Sequence, residues 1–348
     1  MRQVCVLLAL AASIGLAQDG PYKVQKVAKV GGEGGFDYVT ADADGRRLYV
    51  ARSGNPGRVT VFNLDSLEKV GEIPNANRTH GAVVSSKSNH GFVSSNPVIL
   101  FDSKTLATIK TIEVKGNPDG YLYDAFNDRV YILSHSAPNA TVIDAASGEV
   151  VGTIDLGGAP EQAATDGKGT IYVDLEDKDS IAVVDAKTLT VKTRYDLAGK
   201  GGGCAGLALD AKNQILFATC RNPQNMVILN AKDGKIIDAL PIGRGTDGAT
   251  FNPATLEAFS SQGDGTLTIV KESSPTSFAV EQTVKTMVGA KTLTLDSKTN
   301  RILLIAAEYG APPTPPADAP PPAQKKGGRG PGRGPMVPDS FSIVVVGK

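Results

Sequence analysis

Thr141 to Pro160 reads TVIDAASGEVVGTIDLGGAP: strand, turn, strand, turn. Thr141-Val142-Ile143 alternates and meets Asp144, followed by the pair Ser147-Gly148. A second alternating run, Glu149 to Leu156, ends in Gly157-Gly158-Ala159-Pro160. Alternation with period two gives a strand one inward face, and Asp, Ser, Gly and Pro close tight turns for distinct physical reasons. Variants of this phrase run the length of the chain, and a repeat of roughly 20–50 residues decides a fold before any single element does.

The copies align on the residue that closes the first strand of each: Asp42, Ser85, Asp124, Asp166, Asp210, Asn252 and Asp296, spaced 39–44 residues apart. A second strand follows at once, as in Leu48-Tyr49-Val50, Val130-Tyr131-Ile132 and Ile171-Tyr172-Val173. A third recurs at Val59 to Asn63, Val98 to Asp102, Ile181 to Asp185 and Met226 to Asn230, and a fourth at Thr108 to Val114 and Thr190 to Leu197. Four antiparallel strands in each of seven copies predict an all-β, seven-bladed β-propeller, an architecture that leaves only short protected edges. The seventh copy has strands at 291–295, 301–307 and 341–346 and then lacks a fourth. The missing strand is matched near the beginning, where YKVQKVAKVGGEGG (Tyr22 to Gly35) repeats the alternation and the glycine exit. The N-terminal strand is therefore expected to complete blade seven.

Arg2, the apolar run Val4 to Leu16 and the small-residue exit at Ala17 have the layout of a secretory signal peptide over 1–17. That run is too short to span a bilayer. The expectation is a single exported domain over 18–348, periplasmic or secreted, without a membrane span. Losing Arg2 leaves 35 of the 36 Lys and Arg against 36 Asp and Glu. This balance argues against nucleic acid or an acidic membrane surface as partner, since their binders carry a basic excess. A small molecule, a protein or the cell envelope remains as partner, and the chain is expected to be a monomer.

Cys5 leaves with the signal, so Cys204 and Cys220 remain. With Asp210 opposite Gln214 across the hairpin, Cys204 falls opposite Cys220, and an oxidising compartment would join them. A register slip of one residue would turn one thiol to the other face and leave both free. Ala311 to Ser340 is Pro-rich, then Gly- and Arg-rich, and is expected to be a flexible insertion between the second and third strands of blade seven. Its Lys325, Lys326, Arg329 and Arg333 would bind an acidic polymer only weakly.

Propeller ligands enter where the innermost strands begin. Five residues before each aligned position stand Asp37, His80, Asp119, Glu161, Ala205, Asp247 and Lys291. His135 follows the second strand of blade three and faces the same mouth. Four carboxylates crowded at one low-dielectric opening raise the energy unless a cation or ligand compensates them. Asp37, Asp119, Glu161 and Asp247 are thus candidate ligands for a divalent cation, Ca²⁺ or Mg²⁺ by their oxygens, Mn²⁺ or Zn²⁺ if a histidine joins. The competing expectation is a water-filled channel lined with ordinary polar residues. No metal-hydrolase, nucleophile-elbow or phosphate-loop motif is present in the sequence.

The Leu-Tyr-Val and Ile-Tyr-Val second strands, each followed by V-x-V-x-D and G-x-V-V-x-T-I-x-x-G-x-x-P, resemble the YVTN repeats of the YncE-like propeller family over nearly the whole mature chain. The resemblance implies a secreted, non-catalytic binding or scaffold module with its ligand at the channel mouth. A likeness of some members to lactonase-like propellers implies the alternative. In that case a metal held by the same four carboxylates would polarise a lactone, with His80 or Lys291 beside the developing charge.

Overall fold

The computed structural model describes residues 20–311 and 334–348. These fold into seven four-stranded antiparallel sheets set around an axis, a seven-bladed β-propeller. In blades one to six the strands follow chain order from the axis outward. Blade four is representative: Pro160–Thr165, Thr170–Leu175, Ser180–Asp185 and Thr190–Asp196. The innermost strands neighbour one another around the ring, which shuts where those of blades seven and one meet.

The residues that align the repeats do the same job in each blade. Backbone amides two to four residues on donate to the side chains of Asp42, Asp124, Asp166, Asp210, Asn252 and Asp296. Ser85, the exception by type, accepts from Lys87 N and Ser88 N through its hydroxyl. A side chain that satisfies its own turn fixes where each first strand stops and the second starts.

Blade seven is assembled from both ends of the chain. Leu293–Asp296, Arg301–Ala306 and Ser342–Gly347 are joined by Lys23–Lys29, with Lys23 opposite Gly347 and Lys29 opposite Ser342. At the joint the chain turns through Gly34 at φ 98°, where a Cβ would lie 2.2 Å from the Ser53 carbonyl oxygen, so only glycine fits. Arg52, almost wholly buried, lies 3.7 Å over the Phe341 ring and donates to the Glu33 carbonyl at 2.9 Å, tying the incoming loop to blade seven. Between blades seven and one, Leu48, Val50, Phe62, Leu303, Ile305 and Phe341 form one buried cluster. Each such side chain contributes about 1.5–3 kcal/mol when fully buried, so closure rests on apolar packing as well as on the strand ladder.

Cys204 and Cys220 are joined by a disulfide, by a different route from the simple register count. Asp210 pairs with Ile215, not Gln214, and that register continues to Gly206 opposite Thr219. A bulge at Ala205 then takes up one residue and brings the cysteines opposite each other. Of the segment 311–340, residues 312–333 lie outside the described residues, as does the segment 1–17. The two roots of the insertion pair: Gly310 N donates to Pro335 O at 2.8 Å and Val337 N to Glu308 O at 2.9 Å.

Candidate functional site

The innermost strand of each blade starts at one face of the disc, and the second strand returns to that face. Side chains at both places therefore meet around the mouth of the channel. Asp37, Asp119, Glu161 and Asp247 sit within the first three residues of their innermost strands, and His80 and Lys291 lie just before theirs. His135, Glu176 and Arg221 directly follow the second strands of blades three, four and five. Ala205 is buried at the bulge and adds no polar group.

Together these side chains make a belt in which every junction between neighbouring blades carries a charge pair. His80 Nδ1 lies 2.7 Å from Asp37 Oδ2 and 3.3 Å from Asp119 Oδ1, joining blades one, two and three. His135 Nδ1 stands 3.4 Å from Glu161 Oε1, between blades three and four. Arg221 of blade five pairs with Glu176 of blade four through Nη1 and with Asp247 of blade six through Nη2. Lys291 of blade seven pairs with Asp247 and, at 3.5 Å, with Asp37 of blade one. The crowding inferred from the carboxylates alone is thus relieved in part by Arg221, Lys291 and the two imidazoles.

The electrostatics follow from burial against pairing. Burial works to raise the Asp37 carboxyl, yet the His80 hydrogen bond and the Lys291 charge hold it below the usual range. His80 is lifted above its usual value: burial opposes the charge, and the Asp37 bond and the Asp119 charge outweigh it. Asp119 is raised, burial being the main cause. Burial lifts Glu161 to about 7 against the opposing His135 contact, with the charges of Asp247, Asp119 and Glu176 adding. The Glu161 carboxylate in turn lifts His135 to about 8 against the cost of burial. Burial works against the Lys291 and Arg221 cations, but the Asp247 carboxylate raises both.

The two histidines differ in how well they are satisfied. His80 hydrogen-bonds Asp37 through Nδ1, and the same nitrogen lies 3.3 Å from the Asp119 carboxylate. His135 has contacts of 3.4 and 3.7 Å to Glu161 Oε1 and Glu176 Oε2, and its buried Nδ1 has no hydrogen-bond partner. Each of these two carboxylates has its other oxygen held: Glu161 Oε2 by the Tyr38 hydroxyl at 3.4 Å, Glu176 Oε1 by Arg221. Asp37–His80–Asp119 and His135–Glu161–Glu176 are both compact enough to hold a cation, their ligand atoms lying within 4.8 Å of one another. Asp247, held by Arg221 and Lys291, belongs to neither triad.

Below the belt lies a cavity of about 160 Å³ whose lining includes Tyr38, Thr40, Tyr121 and Gln162. Gln162 crosses between blades, accepting from Leu207 N and Ala249 N at 3.0 Å and donating to Ala249 O at 3.0 Å. The hydroxyls of Thr40 and Tyr121 meet at 2.7 Å. Hydrogen bonds thus tie blade four to blades five and six, and blade one to blade three, beneath the mouth.

Glu176, Arg221 and Tyr38 escaped the sequence reading. A signal for the first two was present, since the position that singled out His135, directly after a second strand, yields Glu176 and Arg221 in the next two blades. Tyr38 is adjacent to Asp37, and only the fold shows that its hydroxyl reaches Glu161.

No family model matches the chain, and no curated protein matches it. Solved structures do. A chain of the Mitotic Checkpoint Complex superposes with a TM-score of 0.69 at 13% identity, over 87% of this chain and 95% of the other. The structure of U3-55K gives 0.72 at 11% identity, covering 93% and 99%. Hydrazine Synthase of Kuenenia stuttgartiensis gives 0.67 at 16% identity, covering 85% and 96%. At such identities the likeness is one of fold. The shared fold is the propeller. Among the described residues, no helix is long and apolar enough to cross a membrane.

Proposed function

We propose that the protein is an exported, non-catalytic binding propeller of the YVTN type that takes a small cationic or metal-bearing ligand at the channel mouth. The observation that carries this reading is the charge of the belt. Five carboxylates (Asp37, Asp119, Glu161, Glu176 and Asp247) face two permanent cations, Arg221 and Lys291, and two imidazoles whose protonation is favoured, which leaves a surplus of one carboxylate. A belt that served only to staple blades together would need no acidic surplus, and enclosed surplus charge is costly without a counter-charge. The layout of residues 1–17 supports export. Native mass spectrometry of the purified protein tests the proposal. A bound mass is expected in the wild type and expected to be lost in the folded double variant Asp37→Asn plus Asp247→Asn. A bound mass that persists in that variant would move the site elsewhere.

A hydrolytic reading has one observation in its favour, the Glu161 carboxyl lifted to about 7 by burial, where a group can accept and return protons near neutrality. Hydrolysis of simple lactones by the wild type and its loss in Glu161→Gln would support it. A wild type inert towards lactones leaves the binding reading in place.

A further inference from the structure

We propose that His135, Glu161 and Glu176 hold one transition-metal dication, Zn²⁺ or Mn²⁺, at the junction of blades three and four. This rests on, and sharpens, the reading of the mouth as a ligand site. It also departs from a single site built on the four first-strand carboxylates.

Three observations converge. The first is geometric. One nitrogen-bearing and two oxygen-bearing side chains present ligand atoms within 4.8 Å of one another. The two nearest imidazole contacts come from different ring nitrogens, Nδ1 at 3.4 Å from Glu161 and Nε2 at 3.7 Å from Glu176, and neither makes an aligned hydrogen bond. Ligands bonded at about 2.0–2.2 Å stand up to about 4.4 Å apart, so closing on an ion takes a shift of a few tenths of an ångström. The second is orientation. Tyr38 holds the far oxygen of Glu161 and Arg221 the far oxygen of Glu176, which leaves Glu161 Oε1 and Glu176 Oε2 turned to His135. Metal ligands are commonly fixed by outer partners of this kind.

The third observation is independent of the triad. Asp174, in the second strand of blade four, is fully buried, and neither carboxylate oxygen has a hydrogen-bond partner. Its strand neighbours Val173 and Leu175 pack towards blade three, so Asp174 faces blade five, the side from which Arg221 comes. Glu161 lies in the bulged stretch across the strand pair from Asp174, between Pro160 opposite Leu175 and Ala163 opposite Val173, and Glu176 is two residues on, so the three acids share one end of blade four. An unpartnered buried carboxyl is costly, and three acids gathered there lack a cation of their own, because Arg221 is shared with Asp247. At the Asp37–His80–Asp119 triad His80 hydrogen-bonds Asp37, which Lys291 also approaches, and neither carboxylate there has a buried oxygen without a partner.

The donor set selects the ion. An imidazole with carboxylates suits Zn²⁺ or Mn²⁺, whereas Ca²⁺ and Mg²⁺ prefer oxygen alone. The test is calorimetric titration of chelator-stripped full-length protein with Zn²⁺, Mn²⁺, Ca²⁺ and Mg²⁺ separately, supported by the visible spectrum of the Co²⁺-loaded form. One equivalent of Zn²⁺ or Mn²⁺ is expected, bound at least about tenfold more tightly than Ca²⁺ or Mg²⁺. His135→Ala and Glu161→Gln should each weaken it by about tenfold or more and change the Co²⁺ spectrum, while His90→Ala, at the start of the second strand of blade two and away from the mouth, leaves both within about twofold. Melting curves confirm that each variant is folded. A wild type that binds neither Zn²⁺ nor Mn²⁺ overturns the proposal, and so does a folded His135→Ala protein of undiminished affinity. If the metal fails while a mass still co-purifies and is lost in the Asp37/Asp247 variant, only this inference falls.

Discussion

At the residue scale, charge placement follows a simple rule: a side chain buried at a blade junction is either paired across it or left in tension. Arg46 illustrates the first case. Its two terminal nitrogens grip both oxygens of Asp296 at 2.8 Å each, joining blade one to blade seven, and the Asp296 side chain is only 3% exposed. Arg46→Met would leave that carboxylate buried and unpaired. The expected loss is about 2 kcal/mol, short of the roughly 3–5 for a wholly buried pair because water reaches Arg46. Burial tends to raise Asp296, but Arg46 and Thr299 hold it below the usual carboxylate range. The stability tied to that shift is present above the unfolded value near 4 and is lost as pH falls through the folded one. Denaturant titrations should therefore show the wild-type advantage undiminished from pH 7 to 5 and shrinking below about pH 4; an advantage independent of pH would contradict the pairing. Asp174 illustrates tension. Nothing in the sequence Val173-Asp174-Leu175 distinguishes it from a solvated strand residue, because its lack of partners depends on what blade five places opposite. Glu161 and Asp247 were legible by counting back from a turn, since that count fixes depth in the channel. Their partners were not, since a count does not fix which way a side chain leans.

At the element scale, the hairpins carry the legible part of the fold. Each first strand ends on a side chain that satisfies its own turn, and Ser85 shows that the requirement is an oxygen in reach and not an aspartate as such. Registers were less legible. A repeat sets strand ends to within a residue or two, whereas a bulge is a local change in backbone that no spacing announces. The bulge at Ala205 is the case in point: the cysteines meet across a hairpin whose turn is one residue out of the simple register. The disulfide closes a loop across a sequence separation of 16 residues, for which the chain-entropy account gives about 3 kcal/mol. Adding a reductant to the wild type is expected to lower the melting midpoint by several degrees, with Cys204→Ser plus Cys220→Ser matching the reduced protein. Equal midpoints with and without reductant would mean that the thiols are free.

At the scale of the whole molecule, two closures bind the ring. One is the charge belt at the mouth and the other is the N-terminal strand in blade seven. The second was legible because a shortage at one end of the sequence matched a surplus at the other. The belt was half legible, as first-strand positions repeat faithfully while the second-strand positions had been read in one blade only. Beyond the strand itself, Tyr22 donates to buried Glu257 at 2.5 Å, and Lys348 pairs with the same carboxylate at 2.7 Å, so both strands of the closing pair are pinned to blade six. Deleting residues 20–30 removes this strand and exposes the edge of Ser342–Gly347. A fall in melting temperature of about 10 °C or more is expected. A melting curve that does not move would show that blade seven stands without its fourth strand.

That joint also sets an order in time. Gln25 meets Lys348 across 323 residues, so no contact of the closing ladder exists until nearly all of the chain is available. Hairpins form from neighbours and arise early, whereas pairings between distant segments come late. Until then six blades make an open arc whose first strand has no sheet to join and whose last blade has a bare edge. A bare edge is a template for strand addition by any other chain. Until Lys23–Lys29 and Ser342–Gly347 have met, the arc is therefore open to mispairing, and two such copies side by side could exchange first strands where one closed ring cannot.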